Sequence, residues 1–282
     1  MTSDVTAARA ACALMIALDL DGTVLHEDET IDADLAQTLR KIDALPHVEI
    51  VLATGRAFDA TLPVVEKLGL SLQWLVCCNG AVTLRRSEPS GVFEKHRVCT
   101  FDPSPMLRRL RETLPEANIA VEGGDGVFYY MREIPFKTLP NRRELVDYER
   151  LLTIEGTRVV AVSHGYTPQE FLDIADEMRL NHTVYAVGEA VWLDATRADV
   201  DKSTALELVR RALRVQAAGV FAAGDGNNDL QMIEWAAAHG TAVAMGQASE
   251  RIKNVATRVT GSVAEGGLMR ALREWEPLKR VL

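Results

Sequence analysis

The chain has 282 residues, 48% hydrophobic and 25% charged, the composition of an ordinary globular protein of one or two domains with room for a substantial core. Forty acidic residues against 31 Lys and Arg give a formal charge of −9. That balance argues against a nucleic-acid or anionic-membrane partner, and it obliges any site for a phosphorylated ligand to reverse the sign locally with metal ions or cations. The four cysteines, Cys12, Cys77, Cys78 and Cys99, match no zinc-ligand spacing and read as reduced core residues of a cytoplasmic protein. The N-terminal stretch carries Asp4 and Arg9, lacks a basic opening and runs into Asp19, so it fits neither a signal peptide nor a membrane span.

Residues 14–18 (LMIAL) are a short apolar run, the pattern of a strand buried on both faces. A helix is predicted from about Asp32 to Leu45, with Leu35, Leu39 and Ile42 on one stripe. A second buried strand follows at 49–53, then a helix at about 57–68 closed by Gly69, then a third strand at 74–78 (WLVCC). Strand, helix, strand, helix, strand predicts a parallel sheet with helices on both faces. After about residue 84 the rhythm changes. As far as Glu189 the chain is more polar, holds seven of the ten prolines, and mixes strand-like pieces (GVFYYM, TRVVAVS) with helix-like ones. One helix start is explicit: Thr167-Pro168-Gln169-Glu170 offers a capping Thr, Pro at the first helical position and a Glu that reaches back. Residues 85–190 therefore read as an inserted α+β domain. The alternation returns with helices at 203–214, 229–238, 249–256 and 266–275 and strands at 219–223, 241–245 and 258–260. Residues 1–84 and 191–282 then form one discontinuous domain.

In an open parallel sheet, ligands bind beyond the carboxyl ends of the strands. Four polar clusters fall at such ends: Asp19-Leu20-Asp21-Gly22-Thr23, Thr54-Gly55-Arg56, Asn79-Gly80, and Gly224 to Asp229. Lys202 opens a helix between the third and fourth. Hard oxygens suit Mg²⁺, small hydroxyl and amide donors suit phosphate oxygens, and a lysine adds positive charge. Asp19 and Asp21, one residue apart, repel each other unless a cation sits between them or water solvates both. The competing readings are structural: helix capping for Asp225 and Asp229, a solvated pair with Asp201 for Lys202, a core ion pair for Arg56, and a turn for Asn79. His26 follows the first cluster closely enough to be a substrate neighbour; the other five histidines show no ligand spacing.

DLDGT, ATGR, the lysine at a helix start and GDGNNDLQM resemble, in order and spacing, the four motifs of the haloacid dehalogenase superfamily. The interval from Asp21 to Thr54 leaves no room for a cap domain, whereas that from Thr54 to Lys202 leaves a large one. With NGA at 79–81 and AVAMGQASERIKNVA near the C-terminus, the chain resembles the Cof-type subfamily with a C2-type cap, over residues 14–84 and 191–275. The resemblance implies a Rossmann-like α/β core and a Mg²⁺-dependent phosphatase for a small phosphorylated metabolite. In that reading Asp19 is the nucleophile that forms an aspartyl-phosphate, and Asp21 is the general acid and base. Asp19, Asp225 and the backbone carbonyl of Asp21 hold the metal. Thr54, Gly55, Lys202 and Asn228 bind phosphate, Arg56 and Asn79 are further substrate contacts, and Asp229 orients the metal waters or Lys202. A sugar phosphate is the expected substrate; flavin mononucleotide, pyridoxal phosphate and phosphorylated ribityl-pyrimidines stay open. So does transfer to a sugar hydroxyl by a phosphomutase or phosphotransferase, whose core motifs are the same. The non-enzymatic alternative is a receiver-like signalling module, which would be shorter and lack the insert.

Overall fold

The protein is described by a computed structural model covering residues 13–134 and 142–279; Cys12 and the N-terminal stretch lie outside the described residues. In chain order its main elements are β1 (Leu14–Leu18), α1 (Ala33–Asp43), β2 (Val48–Ala53), α2 (Phe58–Leu68), β3 (Trp74–Cys77), β4 (Val82–Arg86), β5 (Phe93–Val98) and α3 (Ser104–Thr113). Then come β6 (Asn118–Gly123), β7 (Phe128–Tyr130), β8 (Arg143–Leu145), α4 (Tyr148–Leu151), β9 (Gly156–Ser163), α5 (Pro168–Met178), β10 (Asn181–Val187) and β11 (Ala190–Thr196). The last are α6 (Lys202–Leu213), β12 (Val220–Gly224), α7 (Leu230–Ala237), β13 (Thr241–Ala244), α8 (Glu250–Val255), β14 (Arg258–Val259) and α9 (Gly267–Glu274). The strands form an eight-stranded sheet, β14-β13-β12-β1-β2-β3-β4-β5, and a six-stranded sheet, β10-β11-β9-β6-β7-β8. The fold is α/β. Among the described residues no helix is long and apolar enough to cross a membrane.

Residue contacts divide the described residues into two compact units, one of 13–53, 65–75 and 206–279, the other of 54–64, 76–134 and 142–205. In the first unit every residue of β2 and β12 is buried, as strands covered on both faces must be. β1 pairs in parallel with both, Leu18 standing opposite Ala223 on one side and Leu52 on the other. α1 begins after Asp32 and buries Leu35, Leu39 and Ile42, the stripe its sequence marks. Gly69, at a φ of +68°, closes α2 by donating its N–H to Val65 O at 3.1 Å.

In the second unit β4 and β5 form an antiparallel hairpin that the alternating apolar pattern does not mark, because β5 (FEKHRV) exposes its four central residues. The six-stranded sheet is antiparallel apart from the β7–β8 pair. Leu107 and Leu110 of α3 and Phe171 and Ile174 of α5 pack with Val159, Ala161, Val191, Leu193 and Ala195 of that sheet. By the two-residue period of strands, Val160, Val162, Ala190 and Trp192 turn the other way and cluster together. The start of α5 is a capping box: Thr167 N–H donates to Glu170 Oε2 at 2.7 Å and Thr167 Oγ1 accepts from Glu170 N–H at 3.4 Å.

In the first unit α6 is tied to α7 through Glu207. Its carboxylate accepts from Arg210 Nε and Nη2, both at 2.8 Å, from Arg211 Nε at 2.6 Å and from Trp235 Nε1 at 3.1 Å. The Arg210 hydrogen bonds, supported by those from Arg211 and Trp235, lower its pKa from 4.5 to about 2. A depressed carboxylate pKa stabilises the fold above its unfolded value and loses that contribution as pH falls through the folded one. Glu207→Gln should therefore lower stability at pH 7 by about 1 kcal/mol. The gap to wild type should shrink to under about half by pH 3 in urea titrations run at both pH values.

Candidate active site

In the first unit, the pairing of β1 with β12 sets the geometry. Asp19 follows β1 and donates its N–H to Ala223 O at 3.0 Å; Asp225 follows β12. Two neighbouring parallel strands thus release their chains at the same level, and residues 206 apart in sequence come side by side (225 minus 19). Carboxylate oxygens of Asp19, Asp225 and Asp229 lie within 4.8 Å of one another. Asp19 is 4% exposed and Asp229 wholly buried. Three carboxylates so close resist being charged together unless a cation joins them, and an all-oxygen donor set of this kind suits Mg²⁺. Asp21 contributes no carboxylate to the cluster; it is exposed and pairs through its backbone with Leu25.

The turn after β12 is built around Asp229, whose Oδ2 accepts from the N–H groups of Asp225 at 3.0 Å and Gly226 at 2.9 Å. Capping and acidic-cluster roles therefore coexist in one side chain. Asn228 sits over the same turn: a Cβ on Gly226 would lie 2.5 Å from its Oδ1. Gly22 has a φ of +80°, and a Cβ there would lie 2.3 Å from Asp225 Oδ2. Gln247, which the sequence reading passed over, donates from Nε2 to Asp225 Oδ2 at 3.0 Å. His26 hydrogen-bonds Asp32 at 3.1 Å.

In the second unit, the loops after β2 and β3 are zipped together. Thr54 is fully buried; its N–H donates to Val76 O at 2.9 Å, and its carbonyl accepts from Asn79 N–H at 3.0 Å. Its Oγ1 accepts from Arg56 N–H at 3.1 Å, and Arg56 O accepts from Cys78 N–H at 2.9 Å. Cys78, Asn79 and Gly80 are all left-handed, and a Cβ on Gly80 would lie 2.1 Å from Asp201 O. That close approach carries the start of α6, with Lys202, up to the Asn79 turn. Lys202 is wholly buried, which removes the reading of a solvated surface pair with Asp201; Asp201 instead caps α6, accepting from Thr204 N–H at 2.8 Å. Arg56 is 8% exposed.

Sequence reasoning also missed a buried ionic group in this unit. Arg158 donates from Nε to Glu122 Oε2 at 2.7 Å, and from Nη1 to Gly55 O at 2.9 Å and Asp194 Oδ1 at 3.5 Å. Tyr185 OH donates to Asp194 Oδ2 at 2.9 Å. Burial alone would lower the arginine's pKa, but the Glu122 and Asp194 carboxylates outweigh it and hold the guanidinium firmly charged. The available signal was a charge inside each of three otherwise apolar strand runs, AVEG, TRVVAV and AVWLDA. Burial pushes the Cys77 thiol up to about 12 and that of Cys78 higher than usual, so both are unreactive core groups.

The sequence profile of the haloacid dehalogenase-like hydrolases matches residues 16–272. The 5-amino-6-(5-phospho-D-ribitylamino)uracil phosphatase YitU of Bacillus subtilis is 25% identical over 276 residues, spanning 93% of this chain and 97% of its own. A phosphoglycolate phosphatase of Natronomonas pharaonis is 28% identical over 257 residues, spanning 91% and 95%. Among solved structures, the HAD subclass IIB sugar phosphatase BT4131 superposes with a TM-score of 0.75 at 19% identity, covering 93% of this chain and 99% of its own.

The Gly22 contact separates backbone strain from crowding. Gly91 has a φ of +69° with nothing within 4 Å of a Cβ, while Gly22 has both the left-handed backbone and the Asp225 contact. Gly91→Ala should cost about 1 kcal/mol in urea unfolding and Gly22→Ala about 2–3 kcal/mol. A crystal structure of Gly22→Ala should show the Asp225 carboxylate displaced.

Proposed function

The chain belongs to the haloacid dehalogenase-like hydrolase family and is a phosphatase, and from that premise we propose that it hydrolyses a small phosphorylated metabolite, a sugar phosphate first among them, with Mg²⁺. The observation that carries this reading is the convergence of the Asp19, Asp225 and Asp229 carboxylates within 4.8 Å at the ends of two adjacent parallel strands. The relatives are named for small phosphorylated substrates of differing chemistry, which supports the reaction more than any one leaving group.

In the proposed reaction, Asp19 attacks phosphorus, the bond to the leaving oxygen breaks, and Asp21 gives that oxygen its proton. Asp21 then takes a proton from water as the water attacks the aspartyl-phosphate, releasing inorganic phosphate and restoring Asp19. Asp19 and Asp225, with the Asp21 backbone carbonyl, would hold Mg²⁺. When bound, the ion offsets carboxylate and phosphate charge together. Thr54 Oγ1, the Gly55 N–H, Lys202 and Asn228 would bind phosphate oxygens, with Arg56 and Asn79 toward the leaving group. Asp229, which already fixes the backbone of Asp225 and Gly226, would orient what surrounds the ion. Residues 85–190 would serve as the lid that excludes water and reads the leaving group, over a core of residues 1–84 and 191–282. The protein would act in the cytoplasm, without nucleic acid or membrane.

Asp19→Asn should retain the fold by circular dichroism and turn over p-nitrophenyl phosphate at below about 1% of the wild-type rate; retention of more than a few per cent would remove Asp19 as nucleophile. Chelation should silence the enzyme and Mg²⁺ restore it, since such sites keep several waters and bind weakly. Ranking phosphorylated sugars, phosphoglycolate, the ribitylamino-uracil phosphate, flavin mononucleotide and pyridoxal phosphate by kcat/KM would identify the leaving group.

A further inference from the structure

Gln247 lies between β13 and α8, in the stretch MGQAS, and its amide joins three other segments of the first unit. Nε2 donates to Gly22 O, just beyond β1, and to Asp225 Oδ2 at 3.0 Å, just beyond β12. Oε1 accepts from Val263 N–H at 3.1 Å, in the turn that leads into α9. A carboxamide has two N–H donors and one carbonyl, and here each meets a partner of the right kind. Turning the amide over would set Oε1 against two acceptors and Nε2 against a donor, so the network fixes its orientation.

The contact falls on the carboxylate oxygen that Gly22 also crowds, 2.3 Å from where a Cβ on that residue would lie. On the other oxygen, Asp225 Oδ1, Thr23 Oγ1 stands at 3.5 Å. From these contacts we infer that Gln247 is a positioning residue: it sets the direction of the Asp225 carboxylate and so the affinity of the acidic cluster for Mg²⁺. The inference rests on the metal reading above. Its chemistry explains the residue type. A lysine at this place would neutralise Asp225 and compete with a cation. A glutamate would lose both donors and add a fourth negative charge beside Asp19, Asp225 and Asp229. A neutral amide holds the carboxylate while leaving its charge available. Leverage of this kind, through a hydrogen bond to a ligating group, is worth about 10–100-fold in metal affinity.

The test measures Mg²⁺ binding directly, by calorimetry and by the rise in melting temperature that Mg²⁺ produces in the full chain. Gln247→Met keeps the side-chain length without the donors, and Gln247→Ala removes the side chain from an exposed position, so at least one variant should fold. Both should weaken Mg²⁺ binding about 10-fold or more and shrink the Mg²⁺-induced rise in melting temperature. At saturating Mg²⁺, turnover should return to within about threefold of wild type, because Gln247 acts through Asp225. Variants that bind Mg²⁺ as tightly as wild type would overturn the inference. So would a lower melting temperature without Mg²⁺ accompanied by an unchanged Mg²⁺-induced rise, the sign of a merely structural role. Asp225→Asn tests the premise separately: if it binds Mg²⁺ like the wild type, the metal assignment itself fails and the role of Gln247 falls with it.

Discussion

The site depends on one pairing, that of β1 with β12. These strands come from opposite ends of the chain, and their parallel register places Leu18 beside Ala223, so Asp19, the next residue on one strand, and Asp225, the second on the other, leave the sheet side by side. Parallel neighbours that end level bring loop residues far apart in sequence together at the carboxyl edge of the sheet. The hydrogen bond from Asp19 N–H to Ala223 O continues the ladder one step past β1. Asp19 therefore departs from hydrogen-bonded backbone, not from a free loop. Burial of Asp19 and Asp229 leaves little water to screen the closely set carboxylates, an arrangement that a bound cation would relieve.

The loops around the acids are fixed by local hydrogen bonds and close backbone approaches. Asp229 spends one oxygen on two backbone N–H groups of its own turn, which orients it and lowers the cost of burying it. Gly22 lets the first turn come against Asp225 where any side chain would collide. In the second unit the same device recurs: Gly80 admits the Asp201 carbonyl, and the left-handed run at Cys78, Asn79 and Gly80 turns the chain after β3. Backbone strain of this sort persists only where surrounding contacts over-determine it, and here it lies beside the polar clusters.

Much of the fold is legible in the sequence because its signals are local. β1, β2 and β12 are short apolar runs, α1 shows its stripe, Gly69 ends α2, and the Thr167 box opens α5. The β4–β5 hairpin is not legible, because an exposed strand such as FEKHRV has no apolar period to read. Nor is the pairing of residues 190–196: AVWLDAT is a buried run whose antiparallel partners, β10 and β9, only the fold identifies. Of the site, the acids and glycines announce themselves by spacing. Gln247 does not: it stands inside the AVAMGQASERIKNVA stretch, but nothing in that stretch assigns it a partner, and only the fold brings it to Asp225.

Arg158 marks the same boundary from the other side. Its partners, Glu122 and Asp194, are each 36 residues away, on β6 and β11. Strand parity puts the three on the sheet face that carries Val160 and Trp192, away from α3 and α5. A buried ionic group of one guanidinium and two carboxyl groups is a poor source of stability compared with an apolar triad of similar size. What the group supplies instead is direction. A planar fork reaching Glu122, Asp194 and the Gly55 carbonyl fixes β6, β9, β11 and the loop after β2 relative to one another within the second unit. A hydrophobic replacement would fill the volume and lose the hydrogen bond to Gly55 O, leaving the Thr54-Gly55-Arg56 peptides held by their hydrogen bonds to the residues at and after the end of β3. The ionic group is thus best understood as a constraint on where that loop lies, parallel in logic to the amide that holds Asp225.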